Sequence, residues 1–274
     1  MTEIFQLLRD TASRLSAAGI DDAQVEAEII LSELLGVSRG AILSCRRNTI
    51  PLARLEEILR RRTAREPLQY ILGEAHFMNL VLEVAPGVLI PRPETELLVE
   101  WICRNAPRDA RICDVGTGSG AIALSVAYER PDVQVTALEI SLEAFAVAER
   151  NRCRYSLNNV TIHISDLFAA ATGHFDVIAA NLPYVAESEY ETLQPEVKNY
   201  EPKLALTSGA DGLTLIRRMI AEVPDYLKTG GALIMELGAA QSKTVLPLLK
   251  RFEDCGIIKD YSGFDRHVFG RLKS

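Results

Sequence analysis

The chain has 274 residues, of which 48% are hydrophobic, and a formal net charge of −7 at pH 7. This length allows one large domain or two unequal domains with a sizeable core, and the acidic balance argues against stable nucleic-acid binding, which needs a basic surface. Because no apolar stretch approaches the roughly 20 residues of a membrane span, and because none of the five cysteines forms a CxxC pair, we expect a cytoplasmic protein without membrane contact. We also expect it to be a monomer.

Residues 1–66 are predicted to form a small helical bundle. The second helix is expected to open with a capping box at Asp21 and Gln24 and to end at Gly36. A third helix follows, and we expect its basic run at 60–62 to lie on a solvated face, as charge runs usually do.

The pattern changes after the bundle. A β-hairpin is predicted over 67–92, where β-branched and aromatic residues are interrupted by glycines. From residue 93 onward, apolar strands alternate with helices, which indicates a mostly parallel sheet covered on both faces. The closeness of the last two strands favours an antiparallel strand at one edge. The predicted strands are 111–115, 133–139, 160–164, 175–180, 232–237, 256–260 and 267–272, and the predicted helices are 94–105, 119–129, 141–155, 211–227 and 241–253.

A glycine-rich turn, DVGTGSG at 114–120, follows the first of these strands. Its glycines are spaced differently from those of the GxGxxG dinucleotide fingerprint. Glycines let the backbone pass close to a ligand, and the helix that follows offers free N–H groups. Asp114 would repel a phosphate but attract a cationic amino group, which fits S-adenosyl-L-methionine. A tight strand–helix turn without a ligand is the alternative.

Acidic residues follow two later strands. Glu139 ends the strand 133–139, about 20 residues past the glycine turn, where an acid can accept both hydrogen bonds of a ribose diol. Asp166 follows the strand 160–164, and its carboxylate can meet an adenine amino group. An N-cap for a helix at 167–171 is an equal reading of Asp166.

The tetrad Asn181-Leu182-Pro183-Tyr184 directly follows the strand 175–180, at the edge where open α/β sheets bind ligands. The Asn181 side-chain oxygen and the Leu182 carbonyl can accept the N–H groups of an amide or adenine nitrogen and orient it. Pro183 restricts the turn, and Tyr184 can pack flat against a planar acceptor. The tetrad alone leaves DNA adenine and protein glutamine open as methyl acceptors.

Several segments of the chain carry a family resemblance. They are QYILGEAHF at 69–77, IPRPETE at 90–96, DVGTGSG at 114–120, NLPY at 181–184, YEPKLAL at 200–206, GADGL at 209–213 and GFDRHVFG at 263–270. With these segments the chain resembles, over essentially its whole length, the protein-(glutamine-N5) methyltransferases of the HemK/PrmC family, which modify class I peptide chain release factors.

The resemblance implies a class I S-adenosylmethionine-dependent methyltransferase fold, which is α/β and Rossmann-like with a mostly parallel seven-stranded sheet. It implies an N-terminal helical substrate-recognition domain at 1–66, a β-hairpin linker at 67–92 and a catalytic domain at 93–274. The implied acceptor is the glutamine of a Gly-Gly-Gln motif in release factors. Methylation of its amide N5 would yield S-adenosyl-L-homocysteine and support translation termination.

The resemblance also implies roles for individual residues. Asn181 and Tyr184 would be catalytic and, with Leu182 and Pro183, would hold the acceptor glutamine. The chain departs from the family pattern at Leu182, where proline is usual, and at Leu167, where an aromatic residue is common. Neither change removes a donor or acceptor that the chemistry requires. Taken together with the strand ends, the expected cofactor contacts are Gly116, Thr117, Gly118, Ser119, Gly120, Glu139, Asp166, Leu167 and Asn181.

Three alternative functions remain open. A sister glutamine methyltransferase acting on a ribosomal protein would share the tetrad, although IPRPETE favours the release-factor enzymes. An adenine-N6 DNA methyltransferase would flip its base into the same pocket, but the acidic charge and the lack of a target-recognition domain argue against it. A non-catalytic binding protein would not need Asn181, Pro183 and Tyr184. The four histidines show no catalytic grouping, and no metal-ligand spacing occurs.

Overall fold

The computed structural model of the protein describes residues 3–44 and 50–273. The chain divides into two compact units, Met1–Leu72 with Pro195–Tyr200, and Gly73–Gln194 with Glu201–Ser274. The parts of the predicted helical bundle at 1–2 and 45–49 lie outside the described residues, as does residue 274.

Helices and strands cover most of the described chain. The α-helices are α1 (Glu3–Ala17), α2 (Ala23–Leu35), α3 (Leu52–Thr63), α4 (Leu68–Leu72), α5 (Glu96–Asn105), α6 (Ala121–Glu129), α7 (Leu142–Arg154), α8 (Pro195–Tyr200), α9 (Thr214–Glu222) and α10 (Ser242–Val245). The strands are β1 (Glu74–Phe77), β2 (Leu80–Glu83), β3 (Arg111–Val115), β4 (Gln134–Glu139), β5 (Val160–Ile164), β6 (Phe175–Ala180), β7 (Leu227–Glu236), β8 (Phe252–Lys259) and β9 (Asp265–Leu272). None of the helices within 3–44 and 50–273 combines the length and apolar character that crossing a bilayer requires.

The first unit is a helical bundle, as predicted. Apolar side chains of α1, α2 and α3, including Leu15, Ile30 and Ile58, form its core. Gly36 ends α2 in the left-handed conformation, and its N–H donates to the Glu33 carbonyl. The predicted capping box is wrong, because α2 begins only after Asp22 and no side chain caps it.

The basic run on α3 is only partly a solvated face, because Arg60 is exposed whereas Arg62 is buried. Arg62 is only 5% exposed, and its guanidinium donates to Glu26 at 2.7 Å and to Glu196 of α8 at 2.9 Å. Arg65 donates to the other oxygen of Glu196 at 2.8 Å. Because a buried charge is stable only when it is paired and hydrogen-bonded, these contacts tie α8 to the bundle although it is remote in sequence.

The second unit contains a seven-stranded sheet in the order β5-β4-β3-β6-β7-β9-β8. The pairs among β5, β4, β3, β6 and β7 are parallel, and β9 is antiparallel to both of its neighbours. The predicted mostly parallel seven-stranded fold is therefore confirmed. The antiparallel strand is not at the edge, however. Since β8 runs in the same direction as β7, the returning strand β9 fits between them.

Prolines shorten two of the predicted helices. The helix predicted at 241–253 ends at Val245 and continues only as a 3₁₀ turn, Leu246–Leu248. Pro247 lies in that turn, and a proline ring removes a backbone donor and collides with the preceding helical turn. Pro224 accounts in the same way for the 3₁₀ turn Val223–Asp225 that follows α9.

The predicted hairpin is confirmed in part. β1 and β2 pair antiparallel, with Glu74 opposite Glu83, but residues 68–72 form α4 instead of an extended segment. Asn151 of α7 joins the hairpin to the glycine-rich turn. Its Oδ1 accepts from the Glu83 N–H at 2.7 Å, and its Nδ2 donates to the carbonyls of Glu83 and Ser119 at 3.0 and 2.9 Å.

Removal of these bonds is expected to weaken the second unit. Asn151 is fully buried, so Asn151→Ala would leave three backbone groups without their partner and lower the free energy of unfolding by about 2–4 kcal/mol. Urea titration followed by far-ultraviolet circular dichroism measures this loss. Asn158→Ala, at an exposed turn position, serves as the control and should change it by less than about 0.5 kcal/mol. Equal stability of the two variants would contradict the assignment.

Candidate active site

A cavity of about 340 Å³ lies where the parallel strands of the second unit end. Its lining includes residues at or just after the ends of four strands, namely Val115, Glu139, Ser165 and Asn181. Most of the predicted site residues line this cavity, and two do not. Gly120 packs against α6, where a Cβ would lie 2.7 Å from Leu124. Tyr184 is bonded to Glu236 instead of lining the cavity. The lining residues among those predicted are Gly116, Thr117, Gly118, Ser119, Glu139, Asp166, Leu167, Asn181, Leu182 and Pro183.

Glu139 holds the glycine-rich turn at the end of β4. Its Oε2 accepts from the Gly118 N–H at 2.8 Å, and its Oε1 accepts from the Ser141 N–H at 2.8 Å. Each carboxylate oxygen has two acceptor sites, so both oxygens of Glu139 can accept one further donor. Gly116 has a φ of +76°, and a Cβ there would lie 3.1 Å from Leu182 Cδ2. The turn therefore packs directly against the tetrad.

The tetrad is held by a chain of side-chain hydrogen bonds. Asn181 Nδ2 donates to Thr95 Oγ1 at 3.1 Å, and Thr95 Oγ1 donates to Glu236 Oε2 at 2.5 Å. The Tyr184 hydroxyl donates to the other oxygen, Glu236 Oε1, at 3.2 Å. Burial, together with the nearby Glu236 charge, raises the pKa of Tyr184 well above its usual value. The phenol thus remains a hydrogen-bond donor at physiological pH.

The backbone of Tyr184 is fixed by two further residues. Gln241 Nε2 donates to the Tyr184 carbonyl at 2.8 Å. Gly212 has a φ of +74°, and a Cβ at this position would collide with the same carbonyl oxygen. Only glycine combines that conformation with so close an approach, which gives the GADGL segment a structural reason.

Asp166 and Leu167 follow β5, the edge strand of the sheet, whereas Asn181 follows β6. Asp166 lines the cavity, but its carboxylate pairs with Arg218 Nη1 at 2.8 and 2.9 Å. No helix forms at 167–171, where the chain makes a turn, so the N-cap reading is wrong. Leu167 is buried and has a φ of +43°, an unusual conformation for a non-glycine residue, and such conformations concentrate at ligand sites.

Arg92 and Glu201 join two segments that are far apart in sequence. Arg92 of IPRPETE lines the cavity and donates to Glu201 Oε1 of YEPKLAL at 2.5 Å, across 109 positions. Glu201 Oε2 also accepts from the Ile90 N–H at 3.4 Å. Burial raises the pKa of Glu201, against the opposing effect of Arg92. The arginine is thus positioned beside the cavity by a buried acid.

Comparisons with known proteins assign the family. A model described as the PrmC N-terminal domain matches residues 6–73, and one described as the methyltransferase small domain matches residues 93–198. The release factor glutamine methyltransferase of Geobacter sulfurreducens is 42% identical over 275 residues, covering 98% of this chain and 96% of that protein. The chain belongs to the release factor glutamine methyltransferase family. The family predicted from the sequence is thereby confirmed.

Other relatives agree with this assignment. The release factor glutamine methyltransferase of Koribacter versatilis is 36% identical over 97% of each chain. Among solved structures, a methyltransferase from Pyrococcus furiosus superimposes with a TM-score of 0.54 at 22% identity, covering 81% of this chain and 98% of that chain. At this level of identity the likeness shows the fold, and it agrees with the predicted class I methyltransferase architecture.

Sequence reasoning missed several residues that contact the tetrad or its partners. Glu236 ends an apolar strand as Glu139 does, and that shared position was a signal that could have found it. Thr95 lies within the quoted segment IPRPETE, but no role was assigned to it from the sequence. His267, which the sequence placed in no catalytic group, is fully buried with Nε2 3.6 Å from Glu236 Oε2. Gly212 lies in the quoted segment GADGL and Gln241 in no quoted segment. Neither was connected to the tetrad, because that contact depends on the fold.

Asp114 is bonded to the glycine-rich turn and to α6 and does not line the cavity. It is fully buried, and its Oδ2 accepts from Thr117 Oγ1 at 2.6 Å and from the Ala123 N–H at 3.1 Å. Burial raises its pKa to about 7, although these two hydrogen bonds oppose the shift. The expected attraction of Asp114 for a cationic ligand group is thus replaced, in this structure, by a link between the turn and α6.

The buried acid predicts a pH-dependent stability. Because the folded pKa of about 7 exceeds the unburied value of 3.8, the contribution of Asp114 is fully present below pH 4 and is lost as the pH rises through 7. Asp114→Asn keeps an acceptor for both hydrogen bonds and cannot ionise. Relative to the parent, it should gain on the order of 4 kcal/mol of unfolding free energy between pH 4 and pH 8.

Urea titrations of the ligand-free protein at pH 4, 5, 6, 7 and 8 measure this difference. A difference in unfolding free energy that is the same at every pH reflects the substituted amide itself. The test is therefore how the difference between parent and variant changes with pH. Parallel pH profiles would show that Asp114 does not titrate in this range.

Proposed function

We propose that this protein transfers a methyl group from S-adenosyl-L-methionine to the amide N5 of the glutamine in the Gly-Gly-Gln motif of class I peptide chain release factors. Membership of the release factor glutamine methyltransferase family supports the substrate class. One observation carries the site assignment. Asn181 lines the cavity with its Nδ2 committed to Thr95 at 3.1 Å, so its Oδ1 is left to accept from an acceptor amide. Residues 1–66 contribute recognition of the release factor in this proposal.

The lining of the cavity fits S-adenosyl-L-methionine. Glu139 retains an acceptor site on each carboxylate oxygen for the two ribose hydroxyls. Ile140, which is 52% exposed, and Leu167 offer apolar surface to a planar base. Gly116 and Gly118 let the turn approach a ligand closely. When bound, the cofactor supplies an electrophilic methyl group on a sulfonium and leaves as S-adenosyl-L-homocysteine.

The tetrad supplies the acceptor side of the reaction. Asn181 Oδ1 and the Leu182 carbonyl accept hydrogen bonds from the two N–H groups of the glutamine amide. These bonds orient the amide nitrogen and raise the electron density on it. Pro183 restricts Leu182 to extended conformations and so directs that carbonyl. The Leu182 side chain is buried against Gly116. The backbone carbonyl is therefore the part of Leu182 that contacts the glutamine amide. An N-methylated amide cation is strongly acidic and loses its proton to water, so no general base is needed.

A competition assay tests the proposed substrate. The protein is incubated with methyl-labelled S-adenosyl-L-methionine, a release factor, ribosomal protein and DNA together. We expect label on the Gly-Gly-Gln glutamine, located by peptide mass spectrometry, and none on a release factor with that glutamine replaced by asparagine. Label on the ribosomal protein or on DNA would overturn the proposed substrate class.

Asn181→Ala is expected to abolish most transfer without unfolding the protein. Loss of one orienting hydrogen-bond partner at a reacting group typically lowers the rate about 10²- to 10³-fold. Single-turnover transfer to the release factor measures the effect, and circular dichroism checks the fold. The exposed Asn158→Ala serves as the matched control. An unchanged single-turnover rate in Asn181→Ala would exclude this residue from the chemistry.

Glu139→Ala should weaken cofactor binding more than it slows turnover at saturation. The loss of charge-assisted hydrogen bonds predicts a Kd for S-adenosyl-L-methionine about 10- to 100-fold higher. Isothermal titration calorimetry gives this Kd directly. Glu253→Ala, an exposed acid on β8 that does not line the cavity, is the control. Unaltered affinity in Glu139→Ala would refute the ribose assignment.

A further inference from the structure

Thr95 and Glu236 form a buried pair bonded to the tetrad, and Thr95 also lines the cavity. They are 3% and 1% exposed, and the distance from Thr95 Oγ1 to Glu236 Oε2 is 2.5 Å. Thr95 lies in the 3₁₀ turn Pro93–Thr95, whereas Glu236 ends β7, so the contact joins positions 141 apart. Neither side chain has been given a role in methyl transfer by the sequence motifs.

The chemistry of the pair gives the hydrogen-bond chain a direction. A carboxylate accepts hydrogen bonds and donates none, whereas a hydroxyl has a single proton to donate. Since Thr95 donates that proton to Glu236, its oxygen can only accept from Asn181. Asn181 must therefore present its amide nitrogen to Thr95. Its oxygen is then the group available to a substrate N–H.

The same carboxylate also holds the other end of the tetrad. The Tyr184 hydroxyl donates to Glu236 Oε1 at 3.2 Å while Thr95 occupies Oε2. His267 lies opposite Glu236 in the β7–β9 pairing, with Nε2 3.6 Å from Oε2. Neither ring nitrogen of His267 has a hydrogen-bond partner among the described residues. One buried acid thus sets the positions of Asn181 and Tyr184 together.

We propose that Thr95 and Glu236 are positioning residues that fix which atom of the Asn181 amide faces the acceptor. An amide turned by 180° would direct its NH₂ group at the substrate N–H donors and repel them. The inference rests on the proposed function, because it assumes that Asn181 accepts a hydrogen bond from the methylated amide. It goes further by assigning the direction of that amide to Thr95, which lines the cavity, and to Glu236, which does not.

Thr95→Val and Thr95→Ser separate positioning from packing. Valine fills the same volume without the hydroxyl, whereas serine keeps the hydroxyl and loses a methyl group. We expect Thr95→Val to lower kcat about 10- to 100-fold, as misorientation of a reacting group does, and to change the Kd for S-adenosyl-L-methionine less than about twofold. Thr95→Ser should recover kcat to within about threefold of the parent. A parental kcat in Thr95→Val, or equal losses in both variants, would overturn the inference.

Glu236→Gln provides a second test through the other member of the pair, and the kcat of this single variant does not depend on how Thr95→Val folds. A glutamine amide can donate to Thr95, which then donates to Asn181 and reverses the direction of the chain. If the reversal acts through Thr95, the loss of kcat caused by Glu236→Gln should be smaller in a protein that already carries Thr95→Val. The reason is that the effects of coupled residues do not add. Additive losses in kcat for the double variant would contradict a shared chain.

Nuclear magnetic resonance reads the orientation without any substrate. The side-chain NH₂ signal of Asn181, identified by its absence in Asn181→Ala, should be protected from hydrogen exchange in the parent and in Thr95→Ser. It should lose that protection in Thr95→Val. Equal exchange in all three proteins would overturn the inference. If the parent protein labels no glutamine, the proposed function fails, and this measurement still decides the positioning of Asn181.

Discussion

In-register pairing of the parallel strands is the constraint on which the site depends. Val115 lies opposite Leu138, and Ala180 lies opposite Met235, so the strands end at one edge of the sheet. The glycine-rich turn, Glu139, the tetrad and Glu236 are delivered to that edge by four different strands. Because a slip of one residue would turn each side chain to the other face, core packing and site geometry are set by the same register.

Buried polar groups then connect this edge to segments that are not strands. Thr95 reaches Glu236 across 141 positions, and Arg92 reaches Glu201 across 109 positions. A buried polar group without its partner costs about 1–3 kcal/mol, so each segment is held where its hydrogen bonds are made. This explains why short motifs scattered along the chain form one site, and why an irregular segment such as IPRPETE can be positioned as firmly as a strand.

The accuracy of the sequence predictions follows from the range of the interactions involved. The strands at 111–115, 160–164 and 175–180 were predicted with their observed bounds, because an apolar run between polar turns is a local signal. The helix at 241–253 was not, because Pro247 outweighed the apolar periodicity. Within the basic run on α3, the burial of Arg62 was not predicted, since its partners are acids of α2 and α8 that lie far from it in sequence.

By itself, the sequence determined the chemical inventory of the site: a glycine-rich turn, an acid at a strand end, and an amide followed by a rigid turn and an aromatic ring. These features are contained within single short segments, so neighbouring residues suffice to recognise them. Only the tertiary structure decided which partners hold them. Asn181 meets Thr95 across 86 positions, and Thr95 meets Glu236 across 141. The direction of an amide depends on the group it is bonded to, and that group is known only when strand order and register are known.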